Sequence, residues 1–285
     1  MCRLFTYASA REQTLLDAMG ATDLAAFAKL SRLHEDGWGA GWLGAEAPAR
    51  DGLLADRGVR LARLRSTSPA WSDPGFADHA RTSRGRAGLA HLRWGSPGME
   101  VSWANQHPFA DFSSGDEAVF AHNGDVAWVD ELTEAGRRQW RAAGVEAPVW
   151  RGTTDSERYF WLVRAWHAAG APWSEALLQA CADIRRLTRP CAANAVLLTQ
   201  DQLLVVHAAA GLRPRFSEAE LRRAAAAGLP SDHTEVYYDV GMRRDADQVV
   251  LASSGLPAEG WEPTPDETVV VVDLATLVVT TSAIR

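Results

Sequence analysis

Cysteine is scarce in this chain. There are three, Cys2, Cys181 and Cys191. An odd and small number excludes a disulfide framework. No C-x-x-C pair occurs, and without one a structural zinc site is not expected. Cys181 lies in a helical pattern and Cys191 follows Pro190 before an apolar strand, so both read as buried thiols. Long apolar runs are also missing. None reaches the ~18 residues a membrane span needs. The most apolar tail, "TVVVVDLATLVVTTSAI", is interrupted by Asp273 and dense in Val and Thr, so it reads as two strands about a turn. A secretory leader is not expected at the start, because Arg11, Glu12 and Gln13 follow too soon. The expected compartment is the cytoplasm. Excess positive charge is absent as well: 29 Lys+Arg stand against 36 Asp+Glu, a net −7. An acidic surface repels phosphate backbones, so no nucleic-acid partner is expected.

What is present suits one soluble domain. The 285 residues are 47% hydrophobic, enough to bury a core without staples. Strands are expected over 2–8, 37–44, 59–65, 86–94 and 117–122, and later near 235–240, 248–253, 268–273 and 277–281. Helices are expected over 13–19 and 23–32, the second capped by Asp23, and from Asp73-Pro74. "TTDSERYFWLVRAWHAAG" begins with a capping box, Thr154-x-x-Glu157, and continues at helical spacing. "WSEALLQACADIRRL" is a further helix, "NAVLLTQDQLLVVHA" a hairpin, and "SEAELRRAAAAG" a capped helix ending at Gly228. Residues 44–58 read as a surface loop. Hairpin-like pairs mixed with helices argue for antiparallel sheets with helices packed on them.

The opening "MCRLF" poses the chemical question. Removal of Met1 would leave Cys2 with a nucleophilic sulfur and a free α-amine. An α-amine has a reference pKa of about 8, so it can take and return a proton near neutrality. Thiol and amine then form a self-contained nucleophile and base. The alternative is a strand residue that happens to be cysteine. "VFAHNGDVAWV" offers Asn123, a side-chain NH₂, and Gly124, a backbone N–H open to close approach; together they suit an oxyanion. The same Asn-Gly pair also suits a tight hairpin turn. Arg93 ends a strand beside a Gly/Ser/Pro loop, and a planar guanidinium fits a carboxylate. Asp155, in the first turn of a helix, either complements the helix dipole or grips an ammonium. "HEDGWGAGW" lacks the Lys-Ser/Thr of a P-loop and reads as a turn entering a strand. His91, His107 and His122 lack the spacing of a zinc site, so neither metal nor cofactor is expected. Trp38, Trp42, Trp161 and Trp166 are expected in the core, with Trp94 and Trp103 flanking the pocket.

In order and spacing, "MCRLF", "HEDGWGAGW", "AHLRWGS", "NQHPF", "FAHNGD" and "GTTDSE" resemble the glutaminase domain of class II glutamine amidotransferases. The stand-alone branch that includes the ergothioneine-pathway γ-glutamyl hydrolase is the most similar. There a Ser-Glu pair often stands where this chain has Ser253-Ser254. The resemblance implies an α+β fold, a four-layer αββα N-terminal-nucleophile sandwich with two antiparallel sheets, as one domain over 2–285 after Met1 is removed. It implies Cys2 as nucleophile with its own amine as base, and Asn123 and Gly124 as oxyanion hole. Arg93 would hold the substrate α-carboxylate and Asp155 the α-amino group. Trp94, Gly95 and Ser96 would lie on the loop closing over the glutamyl group. That loop reads Trp-Gly-Ser-Pro-Gly, where many synthase-linked members carry Thr-His-Gly; Ser96 keeps a hydroxyl, but Pro97 cannot replace a histidine.

The implied substrate is a small γ-glutamyl amide, cleaved through a Cys2 thioester to release glutamate. Little chain is left for a synthase, so an ammonia-accepting synthase would be a separate protein. The rivals are a glutaminase subunit feeding such a partner, an amide acylase of the choloylglycine type, and an idle γ-glutamyl-binding module. The leaving group and oligomeric state are not legible from the chain.

Overall fold

The computed structural model describes residues 2–44, 60–96, 98–112, 115–126, 129–187, 190–213, 216–229, 235–257 and 259–284. Met1, Pro97 and all but Gly44 of the loop expected over 44–58 lie outside the described residues. The first sheet contains β1 (Arg3–Thr14), β2 (Trp38–Gly44), β3 (Arg60–Ser66), β4 (Arg84–Leu92), β9 (Val240–Arg244), β10 (Gln248–Ser253) and β11 (Glu262–Pro263). Its order is β11-β9-β10-β1-β4-β2-β3. The second contains β5 (Phe109–Asp111), β6 (Ala118–Gly124), β7 (Ala193–Thr199), β8 (Gln202–His207), β12 (Thr268–Asp273) and β13 (Val279–Ala283), in the order β13-β12-β8-β7-β6-β5. Every neighbouring pair is antiparallel.

Side chains alternate across a strand, and here both faces are buried. On β1, Leu4 and Ala8 join Val119, Ala121, Val196 and Leu198 of the other sheet in the core between the sheets. Phe5 and Tyr7 face the other way, into a core shared with α1 (Leu15–Met19), α2 (Ala21–Leu30) and α3 (Pro74–Thr82). Phe120 and Leu197 leave the second sheet toward α4 (Val129–Ala142), α5 (Asp155–Ala168) and α6 (Trp173–Leu187). Helices, sheet, sheet and helices give the four-layer αββα sandwich. Among the described residues, no helix is long and apolar enough to cross a membrane.

Local signals account for most boundaries. Asp73 caps α3, with its side chain accepting from Gly75 N at 2.8 Å. Ser217 and Glu220 form a full capping box on α7 (Glu218–Ala226). Four expectations need correction. Residues 235–240 do not form a strand; the chain turns there, and β9 starts only at Val240. Residues 13 and 14 extend β1, and α2 starts from Gly20, so Asp23 does not cap it but pairs with Arg243. The box at Thr154 is only half formed. Thr154 accepts from Glu157 N at 3.1 Å, but the Glu157 carboxylate turns back to Arg151 N and Gly152 N, each at 2.9 Å. Those upstream donors have no helix of their own, so the carboxylate satisfies them instead.

Candidate active site

The site forms where three strand ends meet. Arg3 pairs with Leu92 across β1 and β4, which sets Cys2 beside the chain leaving β4 at Arg93. The Cys2 Sγ lies 3.8 Å from the carbonyl of Trp94. From the second sheet, the end of β6 brings in Asn123, whose Oδ1 accepts from Cys2 N at 2.9 Å. One hydrogen bond therefore joins the two sheets at the candidate nucleophile.

That bond orients the Asn123 amide. With Oδ1 committed to Cys2, Nδ2 remains as a fully buried donor without a partner. Arg93, 2% exposed, also keeps Nη1 unpartnered, while its Nη2 reaches Glu100 O at 3.3 Å. Buried donors rarely stay unpaired in a folded protein, so two of them at one site suit a ligand with acceptor oxygens. Gly124 pairs with Ala193 inside the ladder, which excludes the hairpin-turn reading of Asn-Gly. A Cβ at Gly124 would stand 1.8 Å from Ala192 O, so no larger residue fits without moving backbone.

Asp155 opens α5, 8% exposed. Its Oδ2 accepts from Val126 N at 2.6 Å and its Oδ1 from Ser156 N at 2.8 Å. Ser156 Oγ lies 2.9 Å from His122 Nδ1, so Asp155 is tied back to the residue preceding Asn123. The helix-terminus role and proximity to the site hold together. Trp94, Gly95 and Ser96 are half-buried on the loop after β4. Gly95 N donates to Asp36 Oδ2 at 2.7 Å, and Asp36 N donates to Arg93 O at 3.1 Å. The "HEDGW" turn thus braces the Arg93 loop. Gly37 there has φ 114°, a conformation that favours glycine.

Sequence reasoning missed Arg3, Asp36, Phe216 and Tyr237. Trp94 neighbours His34 and Phe216, with ring centroids at 5.4 and 6.0 Å. Phe216 in turn meets Tyr237 at 5.3 Å. These residues come from distant segments, and no periodic pattern marks them. Trp38 and Trp42 are buried as expected, Trp161 and Trp166 pack partly buried on the core, and Trp103 is 57% exposed.

Beneath the site His91 stacks on His107, centroids 4.1 Å apart. Burial pushes His91 down to about 3 and His107 well below the ordinary 6.5. Burial also lowers His122, against the opposing charge of Asp155. On the helix side of β2, burial takes His79 to about 4. A histidine depressed by folding contributes stability that is present above its unfolded pKa and is lost as pH falls toward the folded value. Melting temperature should therefore decline as pH drops from 6.5 toward 4, the window those shifts define. Thermal melts across that range check it; a flat profile would contradict neutral burial of these rings.

Residues 1–284 match the family of class-II glutamine amidotransferases. The chain belongs to that family. Its sandwich and Cys2 agree with the amidohydrolase chemistry of an N-terminal-nucleophile amidotransferase. A gamma-glutamyl-hercynylcysteine sulfoxide hydrolase of Mycolicibacterium smegmatis is 34% identical over 94 residues, 33% of this chain and 34% of that protein. The match thus spans about a third of that curated relative. A glutamine aminotransferase class-II domain protein from Silicibacter pomeroyi superposes with a TM-score of 0.58 at 20% identity, covering 100% of both chains. The glutamine phosphoribosylpyrophosphate amidotransferase of B. subtilis gives 0.62 at 11% identity, over all of this chain and 49% of that one. These two likenesses establish the fold.

Proposed function

We propose that this amidotransferase-family protein hydrolyses a γ-glutamyl amide through a Cys2 thioester, residues 2–285 acting as one domain. The observation carrying this reading is the Cys2 N to Asn123 Oδ1 bond of 2.9 Å, which leaves Asn123 Nδ2 buried and free to donate. Loss of Met1 would turn the Cys2 nitrogen into an α-amine at the same position. The Cys2 sulfur, its proton passed to that amine, attacks the γ-carbonyl and forms a C–S bond. The carbonyl oxygen takes the negative charge and accepts from Asn123 Nδ2 and the Gly124 N–H. The C–N bond then breaks, and the α-amine returns its proton to the leaving amine. Water attacks the thioester, releasing glutamate and restoring the thiol. Arg93 would hold the α-carboxylate through the buried Nη1, and Asp155 the α-ammonium. Trp94, Gly95 and Ser96 would cover the glutamyl group.

The leaving amine we infer is larger than ammonia. Trp94, whose carbonyl faces the Cys2 sulfur, and the half-buried Phe216 packed on it support it, as a surface suited to an apolar or cationic amine. The name of the M. smegmatis relative points to the same substrate class. Intact-mass confirmation of Met1 loss, followed by glutamate release from glutamine and from γ-glutamyl arylamides and γ-glutamylcysteine conjugates, tests the proposal. Conjugates are expected to turn over with higher kcat/KM than glutamine. Preference for glutamine would favour a glutaminase serving a separate synthase; no release from any of them would sink the hydrolase reading.

A further inference from the structure

Arg3 is 0% exposed, among the largest fully buried side chains. All three guanidinium nitrogens donate. Nε donates to Cys2 O at 2.5 Å, Nη1 to Ser254 O at 3.0 Å and Ser254 Oγ at 2.8 Å, and Nη2 to Tyr237 O at 2.9 Å. The charge lies over the Tyr237 ring, 3.5 Å from its centroid, and the Tyr237 hydroxyl donates to Cys2 O at 3.4 Å. Every one of these acceptors is neutral. Among the described residues no carboxylate forms an ion pair with Arg3. Burial lowers its pKa, yet arginine starts so high that it stays charged in a protein.

A buried cation without a counter-charge is costly, and an apolar side chain could fill the same volume. The charge therefore calls for a use, and the group it grips is the candidate nucleophile. We propose that Arg3 is a positioning residue for Cys2: its guanidinium clamps the Cys2 carbonyl and sets an unneutralised positive charge beside the α-amine that Met1 removal exposes. The inference rests on the reading of Cys2 given above. A neighbouring cation disfavours an ammonium, so the amine stays a neutral base to lower pH. The other groups around Cys2 are Arg93 after β4, Asp125 and Asp155 near the end of β6, His91 and His122, and Tyr237 and Tyr238. Burial disfavours the charged forms of both imidazoles and both phenols. Arg3 is the cation in direct contact with the Cys2 backbone.

The test follows the rate of covalent capture of Cys2 by a diazo-ketone analogue of glutamine against pH, by intact mass, in Met1-free protein. This reads activation of the nucleophile without a leaving group. Arg3→Met removes the charge and should move the acidic limb up by about one pH unit. Ser254→Glu gives the guanidinium a carboxylate and should move it the same way by less. Arg3→Lys keeps the charge and loses the fork, so the limb should stay near its wild-type position while the rate falls. Folded Arg3→Met and Ser254→Glu proteins whose limbs coincide with the wild type would overturn the inference; Ser254→Glu alone decides if Arg3→Met does not fold. A wild-type chain that takes up no adduct at any pH and releases no glutamate from γ-glutamyl conjugates refutes the reading of Cys2 and this inference with it. Adduct formation with unmoved variants refutes the inference alone.

Discussion

Cys2→Ala is expected to lower glutamate release by more than about 10³-fold, the scale on which removing a covalent nucleophile acts. Fold and binding should survive, because the side chain is small and its backbone nitrogen still donates to Asn123. Diazo-ketone labelling supplies the control. One adduct should form on the wild type and none on the variant. Cys181 does not compete: burial pushes it up to about 12 beside the Tyr159 hydroxyl. Thiolate is the reactive form, so a thiol held protonated stays silent. A Cys2→Ala protein that keeps a tenth of the wild-type rate would place the nucleophile elsewhere.

The next largest effect is expected at Asn123. Loss of one oxyanion donor costs about 10²–10³ in kcat in other enzymes, roughly 3–4 kcal/mol. Asn123→Ala removes the donor together with the acceptor that anchors Cys2 N. Asn123→Asp separates the two roles. It keeps an acceptor for Cys2 N but offers no NH₂ to the oxyanion. Asn123→Ala should lose kcat by that factor with little change in KM, since the contact forms as charge develops, and Asn123→Asp by more, because its carboxylate also repels the developing oxyanion. A variant that loses only KM would assign Asn123 to ground-state binding instead.

Much of the fold was legible because local rules act within a few residues. Asp73 before Pro74 and Ser217-x-x-Glu220 specify helix starts through bonds that close inside one turn. The hairpin of β7 and β8 follows from two apolar runs about a polar turn. The strand expected over 235–240 failed for the complementary reason. "EVYY" has strand composition, but the Tyr237 carbonyl is taken by Arg3, more than two hundred residues away in sequence, and its ring lies under that guanidinium. A side chain occupies what a ladder would have used. Glu157 shows the same limit on a smaller scale, choosing Arg151 N and Gly152 N over its own helix cap.

By itself the sequence determined the residue types the proposed chemistry needs: a cysteine at position 2, Asn123-Gly124 at a strand end, Arg93 before a Gly-Ser loop, and an acid at the head of a helix. Hairpin-like pairs mixed with helices argued for antiparallel sheets with helices packed on them, and the resemblance of the motifs to class II glutamine amidotransferases implied the four layers. Only the tertiary structure decided that Cys2 and Asn123, on different sheets, meet across 2.9 Å, that Gly124 lies in a ladder rather than a turn, and that Arg3 is buried against Cys2. The reason is physical. Patterning depends on neighbours along the chain, whereas a site depends on strand register between sheets, and register is settled by packing of the whole core.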